Sequence, residues 1–211
     1  MLKTYRLKNL LMAGQITAPE LEALLQKKDY LGALYDLRND RVWKADILQN
    51  PIAMAVVTAS KTAMTAMLAQ EISRTMVLAS EIAMGAVVGS KTAMAAVLAS
   101  DATLVAILAS ETALSAINSS SLAKEALFLS GRKKTKSFPT TGSLRWLDID
   151  TGRGLFVRSK GKASYNHKIR VDGTKETLVP DADFFRIIPY NSKLEFQYYY
   201  EGKVHYIPLG A

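Results

Sequence analysis

The chain has no cysteine and only two histidines among its 211 residues. Disulfide bonds and thiol chemistry are therefore excluded. The catalytic and metal-binding patterns GxSxG, HExxH and CxxC are also absent, so we predict no enzyme, no cofactor and no metal site. Long apolar runs are missing too. The longest uncharged stretch around the alanine-rich part, residues 47–60, is shorter than the roughly 18 residues of a membrane span, and we predict neither a transmembrane helix nor a signal peptide.

Proline and aromatic residues are scarce in the middle of the chain, and their distribution divides it into three parts. Residues 51–130 contain 20 of the 28 alanines, have no proline after Pro51 and carry a net charge of −1. Residues 131–211 contain 12 of the 17 aromatic residues and carry +7, whereas residues 1–50 carry +2. The overall charge of +8 is therefore a property of the C-terminal part.

Residues 51–130, which we call the repeat array, consist of eight ten-residue repeats without insertion or deletion. Serine occupies the tenth position in seven of the eight copies, alanine the third in six, and the seventh is always apolar. A strict period this short is specific to repeat architectures. Alanine, methionine and leucine favour helix, and serine followed by an acidic residue, as at Ser80 and Glu81, is typical of a helix start. We therefore predict a mainly helical array.

The ten-residue period does not fit one straight helix. At about 100° per residue, ten residues fall roughly 80° short of three full turns, so the apolar stripe would wander around a continuous rod. Three arrangements remain: a bundle wound strongly left-handed, short helices broken at each serine and stacked as a spiral, and a slender β-solenoid. Because most positions are apolar, we expect self-association, most simply as a homotrimer.

The parts on either side of the array differ from it. In residues 1–50 we predict a helix of about ten residues capped by Thr17 or Ala18, a second over residues 30–37 and a third from Arg41. This module is either an attachment module docked on a partner or a cap on the array. Residues 131–140 have the character of a basic linker. Residues 141–211 predict an antiparallel β-domain of six or seven strands, a small sandwich or barrel, in which Glu201-Gly202 is the clearest hairpin turn. The predicted fold class is α+β.

One surface of the β-domain is the candidate for recognition. Its basic residues fall in strands that we expect to be adjacent through a hairpin, where alternate side chains share a face. Together with aromatic residues they would bind anionic bacterial polysaccharide through charge and ring stacking, whereas nucleic acid is not expected. The alternative is that the aromatic residues fill the β-core and the lysines keep the domain soluble. Both histidines, His167 and His205, are interpreted as surface or packing residues. The candidate surface residues are Trp146, Arg158, Lys160, Lys162, Tyr165, Lys168, Arg170, Tyr198 and Tyr200.

The repeats SKTAMAAVLAS and SETALSAINSS resemble the SxTAMxAVxAS decapeptide arrays of virion fibre and tail-associated proteins of tailed bacteriophages. The preceding AGQITAPELEALL also looks like the N-terminal portion of those proteins, so the resemblance covers about residues 10–130 and not residues 141–211. It implies a virion structural protein, an oligomeric fibre, collar or tail component held by other virion proteins at its N-terminus. Its C-terminal domain would then be exposed for contact with the host surface or the virion. The third repeat departs from the pattern with Ser73 and Arg74, and the eighth with Lys124. The alternative function is a carbohydrate-binding module on a repeat spacer.

Overall fold

A computed structural model of the chain describes residues 2–39, 46–141, 143–161, 167–173, 175–179, 183–199 and 201–209. These residues form helices and two antiparallel sheets, which confirms the α+β class. The chain divides into two compact units, Met1–Ala123 and Lys124–Ala211. In the described part of the chain, no single helix has the length and apolar character needed to cross a membrane. Three pairs of consecutive helices have the required length and apolar character, but only when the two helices of a pair are counted together, and each pair is bent by 92–101°.

The described residues of the N-terminal module include the helices α1 (Leu2–Met12), α2 (Ala18–Leu25) and α3 (Lys28–Asn39), and residues 46–48 are helical as well. The helices α2 and α3 were predicted, whereas α1 was not, and the helix predicted from Arg41 begins outside the described residues. Thr17 precedes α2 as predicted, and its backbone N–H and Oγ1 both donate to Oε2 of Glu20 at 2.8 Å. The Glu20 carboxylate thus satisfies the Thr17 backbone N–H at the start of α2, as the glutamate of a capping box does.

Within the described segment 46–141, each repeat forms one helix of eight or nine residues. Each helix ends at the eighth or ninth position of its repeat. The angle between consecutive helices is 92–101° at three of the junctions. The structure therefore has short helices broken at the serines, and neither a bundle of long helices nor a β-solenoid. The helices are α4 (Pro51–Ala59), α5 (Lys61–Ala69), α6 (Glu71–Ala79), α7 (Glu81–Gly89), α8 (Lys91–Ala99), α9 (Asp101–Leu108), α10 (Glu111–Ser119) and α11 (Ser121–Leu129).

The helices of the array stack at a spacing of three. α4 contacts α7, α5 contacts α8, α6 contacts α9, and α7 contacts α10. The third and seventh positions of all eight repeats are buried, from Ala53 and Val57 to Ala123 and Leu127. Since neighbouring repeats of one chain cover these side chains, their apolar character does not require self-association. This corrects the physical reason for which a homotrimer was expected.

In four repeats the serine at the tenth position makes two hydrogen bonds that hold this stacking, an arrangement we call the serine clasp. Its hydroxyl accepts from the backbone N–H three residues later, at 3.1–3.2 Å in six repeats, which caps the next helix. The same hydroxyl also donates to a backbone carbonyl 32 residues earlier, near the end of a preceding helix where carbonyls lack an intrahelical partner. Four serines make this second bond: Ser80 to Leu48 (3.2 Å), Ser90 to Thr58 (2.7 Å), Ser110 to Leu78 (2.8 Å) and Ser120 to Val88 (2.8 Å).

The serine clasp is missing at the start of the third repeat, where another side chain replaces one of its bonds. Gln70, the tenth residue of the second repeat, stands where the other repeats have serine. Nη1 of Arg74 donates to the carbonyl of Leu68 at 3.0 Å. That carbonyl is the one 32 residues before Ser100, whose hydroxyl instead accepts from Thr103 Oγ1 at 2.9 Å. The irregular third and sixth repeats therefore stack on each other, and Arg74 supplies the donor that a serine provides elsewhere.

The N-terminal module caps the array. The helices α1 and α2 contact α4, and α2 and α3 contact α5. The carboxylate of Glu22 on α2 accepts hydrogen bonds from Ser60 Oγ, from Thr62 Oγ1 and, at 3.1 Å, from the Thr62 backbone N–H. Burial alone would raise the pKa of Glu22, but these bonds and the nearby Lys61 hold it below its usual value. The N-terminal module therefore covers the first two helices of the array.

The C-terminal unit contains two four-stranded antiparallel sheets. Sheet one has the order β1-β8-β3-β6 and sheet two the order β2-β7-β4-β5, and neither closes into a barrel. Seven of the described strands lie in residues 141–211, which agrees with the six or seven predicted there, and β1 lies in the segment predicted as a linker. The strands are β1 (Lys134–Phe138), β2 (Arg145–Thr151), β3 (Arg153–Gly161), β4 (His167–Val171), β5 (Lys175–Val179), β6 (Asp183–Tyr190), β7 (Lys193–Tyr198) and β8 (Gly202–Leu209).

Most consecutive strands alternate between the two sheets. The predicted Glu201-Gly202 hairpin is therefore wrong, because β7 pairs with β2 and β4 while β8 pairs with β1 and β3. The hairpin among the described strands joins β4 to β5, where Asp172 and Gly173 have positive φ angles of 54° and 74°. The Asp172 carboxylate also accepts from the backbone N–H groups of residues 191–193, which ties this turn to the start of β7.

The two sheets share one hydrophobic cluster, which includes Phe138, Phe156, Tyr190 and Phe196. The Tyr190 hydroxyl donates to Oδ2 of Asp150 at 2.7 Å, so its polar end is satisfied inside the unit. A Cβ atom on Gly154 would lie 2.4 Å from both this hydroxyl and the Ile207 carbonyl oxygen. Glycine at 154 therefore lets β3 approach its neighbours closely.

Candidate functional site

The outer side of sheet two brings together three of the candidate residues, although they lie far apart in sequence. Trp146 on β2 and Lys168 on β4 both pair with Gln197 of the central strand β7. In the next row with the same orientation, Arg170 pairs with Glu195. Residues directly opposite one another across a sheet share a face. We call this surface the sheet-two face: Trp146, Asp148, Lys168, Arg170, Lys193, Glu195 and Gln197.

The charges of the sheet-two face are largely paired. The Arg170 guanidinium lies 3.7 Å from the centre of the Trp146 ring, and its Nη1 is 3.8 Å from Glu195 Oε2. Lys193 Nζ lies 2.9 Å from Asp148 Oδ1 and 3.1 Å from Glu195 Oε1. Hydrogen bonds to Asp148 and then to Glu195 raise the pKa of Lys193. The face therefore offers an aromatic ring among alternating charges and an amide, and not a uniformly positive patch.

The candidates Arg158 and Lys160 lie in the other sheet. They belong to β3, which pairs with β6 and β8, so the predicted hairpin with the strand carrying Lys168 and Arg170 is wrong. Arg158 Nε and Nη2 donate to the two carboxylate oxygens of Asp183 at 2.6 and 2.5 Å. These bonds hold the pKa of Asp183 below its usual value, and Lys160 Nζ lies 3.9 Å from the same carboxylate.

Arg158 also lies between two aromatic rings, which places it in the interior. Its guanidinium carbon is 4.9 Å from the ring centre of Phe128, on α11, and 4.8 Å from that of Phe185, on β6. The Phe128 ring meets His205 edge-on at 5.1 Å between centres. We call Phe128, Arg158, Phe185 and His205 the aromatic clamp, and only 16% of the Arg158 side chain remains exposed. Its role is to hold the second half of α11 on sheet one.

Two lysines complete the surroundings of the aromatic clamp. Lys124 Nζ lies 5.5 Å from the centre of the Phe185 ring, and Lys133 Nζ lies 4.1 Å from that of Phe128. The departure of the eighth repeat at Lys124 thus has a physical reason, because this fourth position contacts Phe185 on β6. The aromatic clamp was not predicted from the sequence, although the sequence contains one signal for it: Phe128 is the only aromatic residue in residues 51–130.

His205 of the aromatic clamp is held in its neutral form. Burial, followed by the positive charges of Lys133, Arg158, Lys160 and Lys203, lowers its pKa to about 4. Its Nδ1 is hydrogen-bonded to Thr135 Oγ1 at 2.9 Å. The packing interpretation of His205 therefore agrees with its surroundings.

We expect the C-terminal unit to lose stability as the pH falls from 6.5 to 4. In this range the unfolded chain, whose histidine titrates near 6.5, takes up a proton before the folded chain does, so the free energy of unfolding decreases. One pKa unit corresponds to about 1.4 kcal/mol, so we expect a loss of about 1–3 kcal/mol. Urea unfolding followed by tryptophan fluorescence at a series of pH values measures it. In the variant His205→Asn this dependence should largely disappear, and an unchanged dependence would contradict the assignment.

The remaining candidate residues belong neither to the sheet-two face nor to the aromatic clamp as described. Tyr198 is 7% exposed and packs in the core, with its ring centre 4.6 Å from that of Phe138. Lys162, Tyr165 and Tyr200 lie outside the described residues. Among the residues that the structure describes, no three histidine, aspartate or glutamate side chains are grouped so that they could hold a metal ion. The sheet-two face is therefore the candidate recognition surface, and its chemistry suits binding.

No protein-family model matches the chain, and no curated protein matches its sequence.

Proposed function

We propose that the chain is a structural component of a tailed-bacteriophage virion, a fibre, collar or tail protein in which the repeat array is a stiff spacer. The observation that carries this proposal is the serine clasp. Hydroxyl–carbonyl bonds over 32 residues tie a helix to the one a full turn earlier. An array in which four such bonds tie helices to the preceding turn resists bending, as a spacer must. The resemblance of the decapeptides to virion fibre and tail-associated proteins supports the same function.

The C-terminal unit is the exposed head in this proposal. Its two sheets and common core suit a small β-sandwich, and the sheet-two face is the surface for contact with the host or with another virion protein. The N-terminal module covers the start of the array and also attaches the chain to other virion proteins. Self-association into an oligomer remains part of the proposal.

Labelling of intact particles tests the virion function. Gold-labelled antibodies raised against the N-terminal module and against the C-terminal unit are applied separately to purified tailed particles from a culture that produces this chain. We expect both labels at one site on the collar, tail or fibres, with the C-terminal label farther from the particle axis. Absence of both labels from particles, with the chain recovered only in the particle-free fraction, would contradict the proposal.

A carbohydrate-binding module on a spacer is the second candidate, and the sheet-two face is the observation that favours it. An indole ring flanked by a guanidinium, an amide and a lysine is suited to stack on a sugar ring and bind its hydroxyl groups. The pairing of Arg170 and Lys193 with carboxylates favours a neutral or weakly charged glycan over a polyanion.

The full chain applied to an array of bacterial surface glycans tests this second candidate. We expect Trp146→Ala to weaken binding at least about tenfold, since stacking on one ring contributes roughly 1–3 kcal/mol. Tyr5→Ala is the matched control, because Tyr5 is an aromatic residue of the N-terminal module that is 62% exposed. Equal binding by both variants would exclude the sheet-two face, and binding to no glycan would leave the face to a protein partner.

A further inference from the structure

The sign of the charge at the first position of a repeat depends on where that repeat lies in the spiral. Because each helix contacts the third helix after it, charged residues 30 positions apart lie on the same corner of the spiral. One corner carries Lys61 and Lys91, the next carries Glu71 and Asp101, and the third carries Glu81 and Glu111. All six residues are exposed. The array therefore has one basic and two acidic corners.

Local helix electrostatics does not explain the basic corner. The first turn of a helix carries a partial positive charge, so an acidic residue there is stabilising and a lysine is not. Glu81 and Glu111 follow this rule at the starts of α7 and α10, whereas Lys61 and Lys91 oppose it at the starts of α5 and α8. Residues that oppose local stability at regular positions point to a role outside the helix.

Two faces of the array have opposite charges along their edges: the face of α5 and α8, which begins at the basic corner and ends at Glu71 and Asp101, and the face that carries the exposed apolar groove described below. The helices α4, α7 and α10 form this second face, which we call the dimer face. Its acidic edge contains Glu81 and Glu111, at the starts of α7 and α10, and its basic edge contains Lys61 and Lys91, directly after α4 and α7. The face formed by α6 and α9 differs, because it begins at Glu71 and Asp101 and ends at the acidic corner, so that both its edges are negative.

Between its edges the dimer face carries both protruding and recessed apolar surface. Ile52 and Ile82 are 55% and 40% exposed. Beside Ile82 a groove of about 320 Å³ runs between α7 and α10, where the side chains are small: Gly85, Thr112, Ser115, Ala116 and Ser119. The dimer face therefore has both a protruding apolar side chain and a groove that could receive one.

We propose that the dimer face binds a second copy of this chain, with the two arrays parallel and related by a two-fold axis along their length. Such a rotation exchanges the edges, so the basic edge of each copy meets the acidic edge of the other, whereas an antiparallel pair would bring like charges together. The spacing matches because both pairs of charges are 30 residues, one layer, apart. The interface is isologous, so Ile82 of each copy enters the groove of its partner. The pairing deepens the proposed fibre, as it supplies that fibre's self-association as a dimer.

Charge reversal tests the pairing by sedimentation equilibrium of the full chain. We expect the wild-type chain to form a dimer at about 50 mM salt and to dissociate as salt rises, because screening weakens contacts between exposed charges. Lys61→Glu/Lys91→Glu and Glu81→Lys/Glu111→Lys should each weaken dimerisation at least about tenfold, since both edges then have one sign. A mixture of these two variants restores opposite edges and should form the heterodimer. Because Lys61 also lies near Glu22, Lys91→Glu alone is included.

Two further variants separate this face from the rest of the chain. Glu71→Lys/Asp101→Lys makes the same change in charge away from the dimer face and should leave dimerisation unchanged. Gly85→Leu fills the groove without changing charge, and since a Cβ at Gly85 meets no atom within 4 Å, the variant should fold and remain monomeric. A wild-type chain that is monomeric at all salt concentrations overturns the pairing and the oligomeric fibre together. Self-association that none of the dimer-face variants weakens overturns the pairing alone and leaves the fibre in place.

Discussion

Replacing Ser90 and Ser110 together by alanine should lower the free energy of unfolding of the repeat array by about 4 kcal/mol. Each substitution removes a helix N-cap, which contributes about 1 kcal/mol. Each also leaves a carbonyl, that of Thr58 or Leu78, without the hydroxyl that donates to it at 2.7 or 2.8 Å, at a cost of about 1–3 kcal/mol when the group is buried. Domains are stable by only about 5–15 kcal/mol. Urea unfolding followed by far-ultraviolet circular dichroism, which is dominated by the helices, measures the loss.

Two controls separate the serine clasp from a general effect of removing serines. Ser115→Ala changes an exposed serine inside α10 and should leave stability within about 0.5 kcal/mol of the wild type. Ser90→Thr/Ser110→Thr retains both hydroxyl groups and should recover most of the lost stability. If the alanine double variant is no less stable than Ser115→Ala, the clasp does not hold the array.

The helical character of the array and the positions of its breaks were predictable, but the way its helices stack was not. Composition favours helix and serine favours a cap, and both are local properties of the sequence. The bond that distinguishes a spiral from a bundle joins Ser90 to Thr58 across 32 residues, and no local pattern contains it. The expectation of self-association to cover the apolar positions failed for the same reason, since it treated each helix as if its own chain supplied no neighbour.

For the β-strands, too, the sequence predicted the segments but not which strands pair. The segments containing β7 and β8 were recognised, and Glu201-Gly202 has the composition of a hairpin turn. Pairing is nevertheless decided by which neighbour buries each strand, and burial of the shared cluster places the two strands in different sheets. Trp146, Lys168 and Arg170 meet because β7 lies between their strands. Arg158 is absent from that surface because β3 lies in the other sheet, where Phe128, 30 residues earlier on a repeat helix, packs on it.

We expect Arg158→Ala to destabilise the C-terminal unit by about 2–4 kcal/mol. The substitution removes the guanidinium from between Phe128 and Phe185, where each ring contact contributes about 0.5–2 kcal/mol, and it removes a bidentate ion pair with Asp183. It should also raise the pKa of His205, because Arg158 is one of the positive charges that lower it to about 4. Urea unfolding measures the first effect, and titration of the His205 ring protons by NMR measures the second.

Arg158→Lys distinguishes stacking from charge in the aromatic clamp. A lysine retains the positive charge but lacks the planar group that stacks between two rings and donates two parallel hydrogen bonds. The pKa of His205 should therefore remain low in this variant while most of the stability is lost. Wild-type stability in both Arg158 variants would contradict the clamp. Loss of stability in Arg158→Ala without any change in the pKa of His205 would show that burial alone keeps this histidine neutral.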